Sequence, residues 1–292
     1  MPLVNLATIL RPAQQHRYAV GAFNAVSLEF LEAILAAAEQ LRSPVILNIA
    51  EAHFKYVTLE NICPSVLAMA KNAIVPVTLN LDHGLTDAGI RRALNNGFTS
   101  IMIDASKLPF EENIRETRRV VEMCSAANVS VEGELGCVGG DEGSSLVGQA
   151  DSAFFTDPDR VAVFVERTGI AALAVAIGNA HGKYRGKPRL DFTRLGQLRD
   201  AAGIPLVLHG GSGIPEEDFK KAVQLGIAKI NFYTGMSQAA LAAMEAAMKA
   251  AGGGYNDYPE INLRVKASVQ AVVEQQMRIF GSEGRYRDAY SG

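Results

Sequence analysis

The chain has 292 residues, 48% hydrophobic and 20% charged, with 28 lysines and arginines against 31 aspartates and glutamates and a formal charge of −3. That is an ordinary globular composition, and a pI near 6.0 without a block of like charge excludes the electrostatic footprint of a nucleic-acid or anionic-membrane binder. No apolar run approaches the ~20 residues of a membrane span, residues 1–17 lack a signal-peptide pattern, and three dispersed cysteines without a CxxC motif exclude a disulfide framework or a thiolate zinc site. The chain therefore reads as cytoplasmic, with no nucleic-acid and no membrane partner, and any metal it holds must use histidine and carboxylate.

From the N-terminus, β-rich runs occur at residues 18–24, 44–50, 76–82, 100–105, 129–135, 172–178, 205–209 and 229–234. They are nearly continuous in Val, Ile and Leu, the pattern of parallel strands covered on both faces. Helical patterns lie between them at 28–41, 86–95, 110–127, 158–168, 192–202 and 216–225. In the first, Leu28, Leu31, Leu35 and Ala38 form one stripe, and Ser27 stands as its N-cap. Eight strands alternating with helices predict an α/β fold, a (β/α)8 TIM barrel spanning residues 1–292 as a single domain. Strand starts are 24 to 33 residues apart, except for a gap of 43 between the fifth and sixth. The excess, residues 136–158, is rich in Gly, Ser and Asp and reads as a long functional loop. After the eighth strand, helices at 236–251 and 260–280 form a C-terminal extension over 236–292. Their apolar residues either close the barrel or meet another copy of the chain.

Active sites of parallel barrels lie at the C-terminal ends of the strands. The third strand ends in Asp82-His83-Gly84, the sixth runs into Asn179-Ala180-His181-Gly182, and the seventh ends in His209-Gly210-Gly211-Ser212-Gly213. Only barrel closure can bring these three histidines together, and three histidines with an open coordination position form a catalytic zinc site. His16 and His53, before the first strand and beyond the second, read as packed or solvated. Asp82 reads as an acid/base group or a helix N-cap. Asp104 ends the fourth strand. Glu132 and Glu134 share one face of the fifth, in salt bridges, orienting an imidazole, or ligating metal directly. The glycine-rich turn at 210–213 and the strand end at 231–234 match the barrel phosphate site, where backbone N–H groups hold an anion.

Taken in order, DHG at 82–84, EGELG at 132–136 followed by a GG-acidic loop, GNAHG at 178–182, LHGGSG at 208–213 and KIN-x-x-T at 229–234 resemble the zinc-dependent class II fructose/tagatose-bisphosphate aldolase family over nearly the whole chain. The resemblance implies a homodimeric or homotetrameric barrel whose small-molecule partner is a sugar phosphate. The implied reaction is reversible retro-aldol cleavage of a ketose 1-phosphate or 1,6-bisphosphate to dihydroxyacetone phosphate and an aldehyde. It implies that His83, His181 and His209 hold Zn2+, that Asp82 is the acid/base on the C4 oxygen, that Glu134 is an alternate or outer metal contact, and that Asp104 lies near a second metal position. Gly182, Gly210, Gly211, Ser212, Asn231, Phe232, Tyr233 and Thr234 match the dihydroxyacetone-phosphate pocket, which Na+ or K+ often supports in the family. Glu142 matches the loop-borne proton shuttle, and Arg285 resembles the tail arginine that reaches a C6 phosphate, including that of a neighbouring subunit.

Departures from the family pattern fall on the aldehyde half. Tyr233 stands where members carry a smaller or acidic residue, Ala50 where bisphosphate-cleaving members carry Ser or Thr, and Gly284 where Asn is usual. A ketose 1-phosphate modified at C6, sulfonated or deoxy, is thus a second reading, and a zinc-dependent barrel hydrolase a third. The hydrolase reading lacks HxH on the first strand, and a non-catalytic companion subunit would not need the three histidines, Asp82 and Glu142. An imine-forming aldolase needs an interior lysine. The sixth strand has none, and Lys229 reads as lying at the wrong end of the eighth.

Overall fold

The apolar runs become eight strands, β1 (Val20–Asn24), β2 (Val45–Ala50), β3 (Val77–Gly84), β4 (Ser100–Ile103), β5 (Ser130–Leu135), β6 (Ala172–Val175), β7 (Leu206–Leu208) and β8 (Ile227–Phe232). They pair in parallel and in chain order, and β8 returns to β1 to close a (β/α)8 barrel. The computed structural model describes residues 3–56, 58–140, 151–182, 184–250 and 257–290. Its helices are α1 (Leu6–His16), α2 (Leu28–Gln40), α3 (Leu59–Asn72), α4 (Asp87–Asn95), α5 (Phe110–Ser125), α6 (Pro158–Thr168), α7 (Phe192–Ala202), α8 (Glu216–Gln224), α9 (Thr234–Ala250) and α10 (Tyr258–Ile279). Side-chain caps start several of them: Ser27 accepts from the Phe30 N–H, Thr86 from Gly89 and Asp191 from Arg194.

The register decides which side chains enter the barrel. Ala22 pairs with Ile46, Asn24 with Asn48, Asn48 with Asn80, and Ala50 with Asp82. Met102 pairs with Glu132, Glu134 with Ala174, Val207 with Lys229, and Asn231 with Ala22. Because the strand period is two, these residues form one inward-facing set. The alternate residues, among them Phe23, Leu47, Leu79, Leu81, Val131, Leu173 and Ile230, pack outward with the helices in the main core. At the N-terminal end of the interior, Val20, Ala22, Ile46, Ala172 and Val207 form a separate apolar cluster with Leu6, Ile9, Leu10 and Ala13 of α1. Helix α1 touches β1, β3, β5 and β8, so it lies across that mouth as a plug.

The helical patterns read in the sequence do not include α1 or α3, and both contain a proline, Pro12 and Pro64. Proline removes an i→i−4 hydrogen bond and marks a boundary in a sequence. Here burial of the apolar stripes, Leu6, Ile9, Leu10 and Ala13 in α1 and Leu59, Ile62, Cys63 and Val66 in α3, outweighs that loss. Strand β8 begins two residues before the expected 229 and ends at Phe232, which puts Lys229 inside the strand. Strand β6 stops at Val175 because the Asn179 side chain takes the ladder bonds, accepting from the Ile177 N–H at 2.8 Å and donating to the Val175 carbonyl at 3.3 Å.

Helix α10 docks on α2 and carries α9 against it; Val265, Val269, Val273 and Met277 of α10 form a buried stripe, and Phe280 meets Phe219 of α8 edge-on at 5.1 Å. Leu241, Met248, Tyr258 and Leu263 of the same hairpin remain exposed. Among the described residues no helix is long and apolar enough to cross a membrane.

Candidate active site

The polar members of the inward set gather at the C-terminal ends of the strands. His83 sits at the end of β3 with φ of 45°, in the left-handed region that a non-glycine residue occupies only when its surroundings hold it there. The β3–β4 register shifts at this point, between Leu81 and Gly84. His83 Nδ1 lies 3.0 Å from Asp104 Oδ2, so its Nε2 turns inward, 3.0 Å from His209 Nδ1. His209 is fixed from behind, its Nε2 being 2.8 Å from Glu132 Oε1. His181 follows β6 on a loop held by its own N–H donating to the Gly139 carbonyl at 2.8 Å, and its Nε2 is buried without a hydrogen-bond partner.

Each neutral imidazole has one N–H. With Glu132 and Asp104 taking those of His209 and His83, two lone pairs face each other at 3.0 Å and a third, from His181, closes the group. The three donor atoms lie within 4.8 Å of one another. Such convergence is repulsive unless a cation or proton sits among them, so the donor set fits a divalent metal ion. Burial, the first cause for both, pushes the His181 and His209 pKa values down, His181 well below the usual range, which keeps them in the neutral form a metal needs. His83, Asp104 and Glu134 form a second group able to hold a metal. Glu134 accepts from the Val138 N–H at 3.1 Å through Oε1, while Oε2 is buried without a partner. Burial, reinforced by the Asp104 charge, raises the Glu134 carboxyl to about 8.

Behind the histidines, Lys229 Nζ donates to Glu132 Oε2 at 2.6 Å, both side chains fully buried. This corrects the expectation that Lys229 lies at the wrong end of its strand: it lies within the barrel. Its ammonium is committed to Glu132, whereas an imine-forming lysine must present a free amine to substrate. Asp82, also fully buried, receives Nδ2–H from Asn231 at 2.9 Å and from Asn24 at 3.3 Å. Burial alone would raise its pKa, but the electrostatic influence of the surrounding His83, His209, Lys229 and His181 outweighs it and holds the carboxylate well below its usual range.

Beside His181 a narrow cradle is lined by Gly182, Gly210, Gly211, Ser212, Asn231, Tyr233 and Thr234. Gly210 adopts φ of 67°, and a Cβ there would lie 2.1 Å from the Ala180 carbonyl oxygen, so only glycine fits. Tyr184 locks the same turn, its hydroxyl accepting from the Ala180 N–H and donating to the Gly210 carbonyl. Helix α9 starts at Thr234, directing its N-terminus toward the cradle, and Ser212 Oγ accepts from the Gly235 N–H at 3.0 Å.

Two residues named from the sequence are not brought here. Phe232 has the parity opposite to Asn231, and its ring packs in the outer core against Phe23, centroids 6.4 Å apart. Arg285 lies at the N-terminal face, 5.5 Å over the Tyr18 ring and paired with Asp288, on the far side of the barrel from the histidines within the same chain. Glu142 lies outside the described residues. Two features escaped the sequence reading: Asn24 holds Asp82, and Asn80 donates to Asn48 at 3.0 Å beneath it. His53, read as packed or solvated, is buried with its ring 5.0 Å from that of Tyr233. The available signal lay in β3, where polar Thr78, Asn80 and Asp82 alternate with apolar Val77, Leu79 and Leu81.

Fold and donor set together define a (β/α)8 barrel built around a candidate metal centre and an anion cradle. Residues 4–285 match the family model for class II fructose-bisphosphate aldolase. The chain is 43% identical over 289 residues to the fructose-bisphosphate aldolase of Geobacillus stearothermophilus, covering 98% of this chain and 99% of that one. It is 41% identical over 306 residues to that of Thermus caldophilus, covering 97% and 99%. The crystal structure of the YdjI aldolase from Escherichia coli K12 superposes with a TM-score of 0.87 at 36% identity, covering 97% of this chain and 99% of that chain. The chain belongs to the class II fructose-bisphosphate aldolase family and is an aldolase, a carbon–carbon lyase.

Proposed function

We propose that this aldolase is zinc-dependent and reversibly cleaves a ketose 1-phosphate or 1,6-bisphosphate of the fructose/tagatose type to dihydroxyacetone phosphate and an aldehyde. One observation carries the reading: an ionised, doubly held Asp82 beside three converging imidazoles, with a glycine-built anion cradle adjoining His181. The cradle takes the C1 phosphate on backbone N–H groups, Ser212 and the α9 N-terminus, supported by Na+ or K+. This fixes C2 to C4 against the histidines. Asp82, an acceptor on both oxygens, then receives the C4 hydroxyl proton as the C3–C4 bond breaks and its electron pair moves toward C2. A zinc ion held by His83, His181 and His209 supplies Lewis acidity toward the charge that develops on the ketose oxygens. Glu142 is assigned the return of a proton to C3, and Asp104 and Glu134 the alternate metal position. The exposed Leu241, Met248, Tyr258 and Leu263 support a homodimer or homotetramer, which light scattering tests directly.

The test of the reaction is release of dihydroxyacetone phosphate from a panel of ketose 1-phosphates and 1,6-bisphosphates, before chelation, after it, and after zinc add-back. Chelator-sensitive release restored by zinc is the expected result. Release indifferent to chelation would remove the metal from the reading, and no release across the zinc-loaded panel would remove the substrate class.

A further inference from the structure

A second cavity, of about 200 Å³, opens on the other side of the histidines. It shares His181 with the cradle and has His83 in its wall, so a substrate with C1 in the cradle and C2 to C4 at the histidines extends its remaining carbons into this space. Its wall beyond the histidines is mostly apolar, with Ala50, Ala52, Leu85 and Val138. Among the described residues, Lys107 is the one lysine or arginine lining it.

The lysine is available. It sits on the turn after β4, closed by the Leu108 N–H donating to the Ala105 carbonyl at 3.0 Å, and it makes no hydrogen bond or ion pair with any other described residue. Asp104, the acid in the same wall, is already engaged: one oxygen lies 3.0 Å from His83 Nδ1, the other accepts from Ser106 Oγ at 2.7 Å and Ser106 N–H at 3.2 Å. Arg285, the other cation considered for this end of the substrate, is at the opposite face.

We propose that Lys107 is a specificity-determining residue that receives an anionic group at the far end of the ketose chain, selecting substrates that carry a negative charge there. This rests on the aldolase reading above. Among the described residues of the remaining wall no side chain carries a hydroxyl, Ala50 included, so recognition there is by charge rather than by a directional network. A phosphate and a sulfonate are therefore both accepted, and selectivity weakens as salt screens the exposed ammonium.

The experiment compares kcat and KM for a ketose 1,6-bisphosphate and the matching ketose 1-phosphate in wild type, Lys107→Met, Lys107→Arg and Arg285→Met. The expected result is a fall of about 10-fold in the bisphosphate-to-monophosphate ratio of kcat/KM for Lys107→Met, carried by KM. Lys107→Arg retains most of the ratio. An unchanged ratio in Lys107→Met, or a loss that follows Arg285→Met instead, overturns the proposal and gives the anion to the tail arginine of another copy. Calorimetric binding of hexitol 1,6-bisphosphate against hexitol 1-phosphate, which requires no turnover, repeats the comparison. A preference for the bisphosphate lost in Lys107→Met supports the proposal even if no substrate is cleaved, and absence of any preference in wild type overturns it.

Discussion

The two ends of the barrel interior are built from the same inward-facing positions and do opposite things. At the N-terminal end those positions hold Val20, Ala22, Ile46, Ala172 and Val207, sealed by Leu6, Ile9 and Leu10 of α1. At the C-terminal end they hold Asn24, Asn48, Asn80, Asp82, Glu134 and Asn231, with His83, His181 and His209 at the rim. One end satisfies water exclusion with methyl groups. The other excludes water and still presents charged and lone-pair-bearing atoms, which are stable only because each is held by another polar group or awaits a cation. The boundary is the buried Glu132–Lys229 pair, which compensates charge below and fixes His209 above.

This contrast predicts that substitutions at the upper end change chemistry and those at the lower end change stability. The largest effect is expected for Asp82→Ala, which should lower turnover about 10²- to 10⁴-fold while bound metal is retained, measured by kcat and metal analysis. Loss of metal in that variant would make Asp82 part of the metal site instead. Next, Lys229→Met leaves the Glu132 carboxylate buried without its cation and should cost about 3–5 kcal/mol in urea unfolding. Adding Glu132→Leu should recover much of that stability without restoring metal affinity, because His209 Nε2–H then lacks its acceptor. A double variant with wild-type affinity in chelator competition would deny the pair its positioning role.

At the plugged end, Leu10→Ala should cost about 2–5 kcal/mol in unfolding and leave kcat as it was. A parallel fall in kcat would mean that the two ends are not separable. The smallest effect concerns Glu134 in chelated protein. Its native pKa of about 8 lies above the unfolded value of 4.5, so its contribution is fully present below pH 4.5 and is lost as pH rises through 8. Glu134→Gln, permanently neutral, should therefore gain stability relative to wild type across that window, read from urea midpoints at stepped pH. Equal slopes for the two proteins would place the carboxylate in a more solvated setting.

The rim was legible because histidines followed by glycine interrupt apolar strands, and in a closed parallel barrel every such interruption falls on one face. Asn24 and Asn48 were hidden by the same strands: a single asparagine in an apolar run carries no mark of direction until register assigns it. Phe232 and Asn231 are neighbours in sequence, and a shift of one residue separates the interior from the outer core. The two-residue displacement of β8 likewise moved Lys229 from an expected strand end into the barrel. Helices α1 and α3 were masked by Pro12 and Pro64, whose cost is visible locally while the burial that offsets it is not. Arg285 stands near the chain end, and its place at the N-terminal face of its own barrel is visible only in the fold, which leaves its reach to a neighbouring subunit as a proposal.

The central claim is that the three converging imidazoles hold the ion on which cleavage depends. Its most direct measurement is a zinc titration of chelated protein, following bound zinc and release of dihydroxyacetone phosphate together, for wild type and His209→Ala. The account predicts that activity rises in step with zinc and breaks at one tight equivalent per chain, and that His209→Ala loses both the break and the activity. Activity that rises without a stoichiometric break, or an active His209→Ala protein with undiminished zinc affinity, would contradict it.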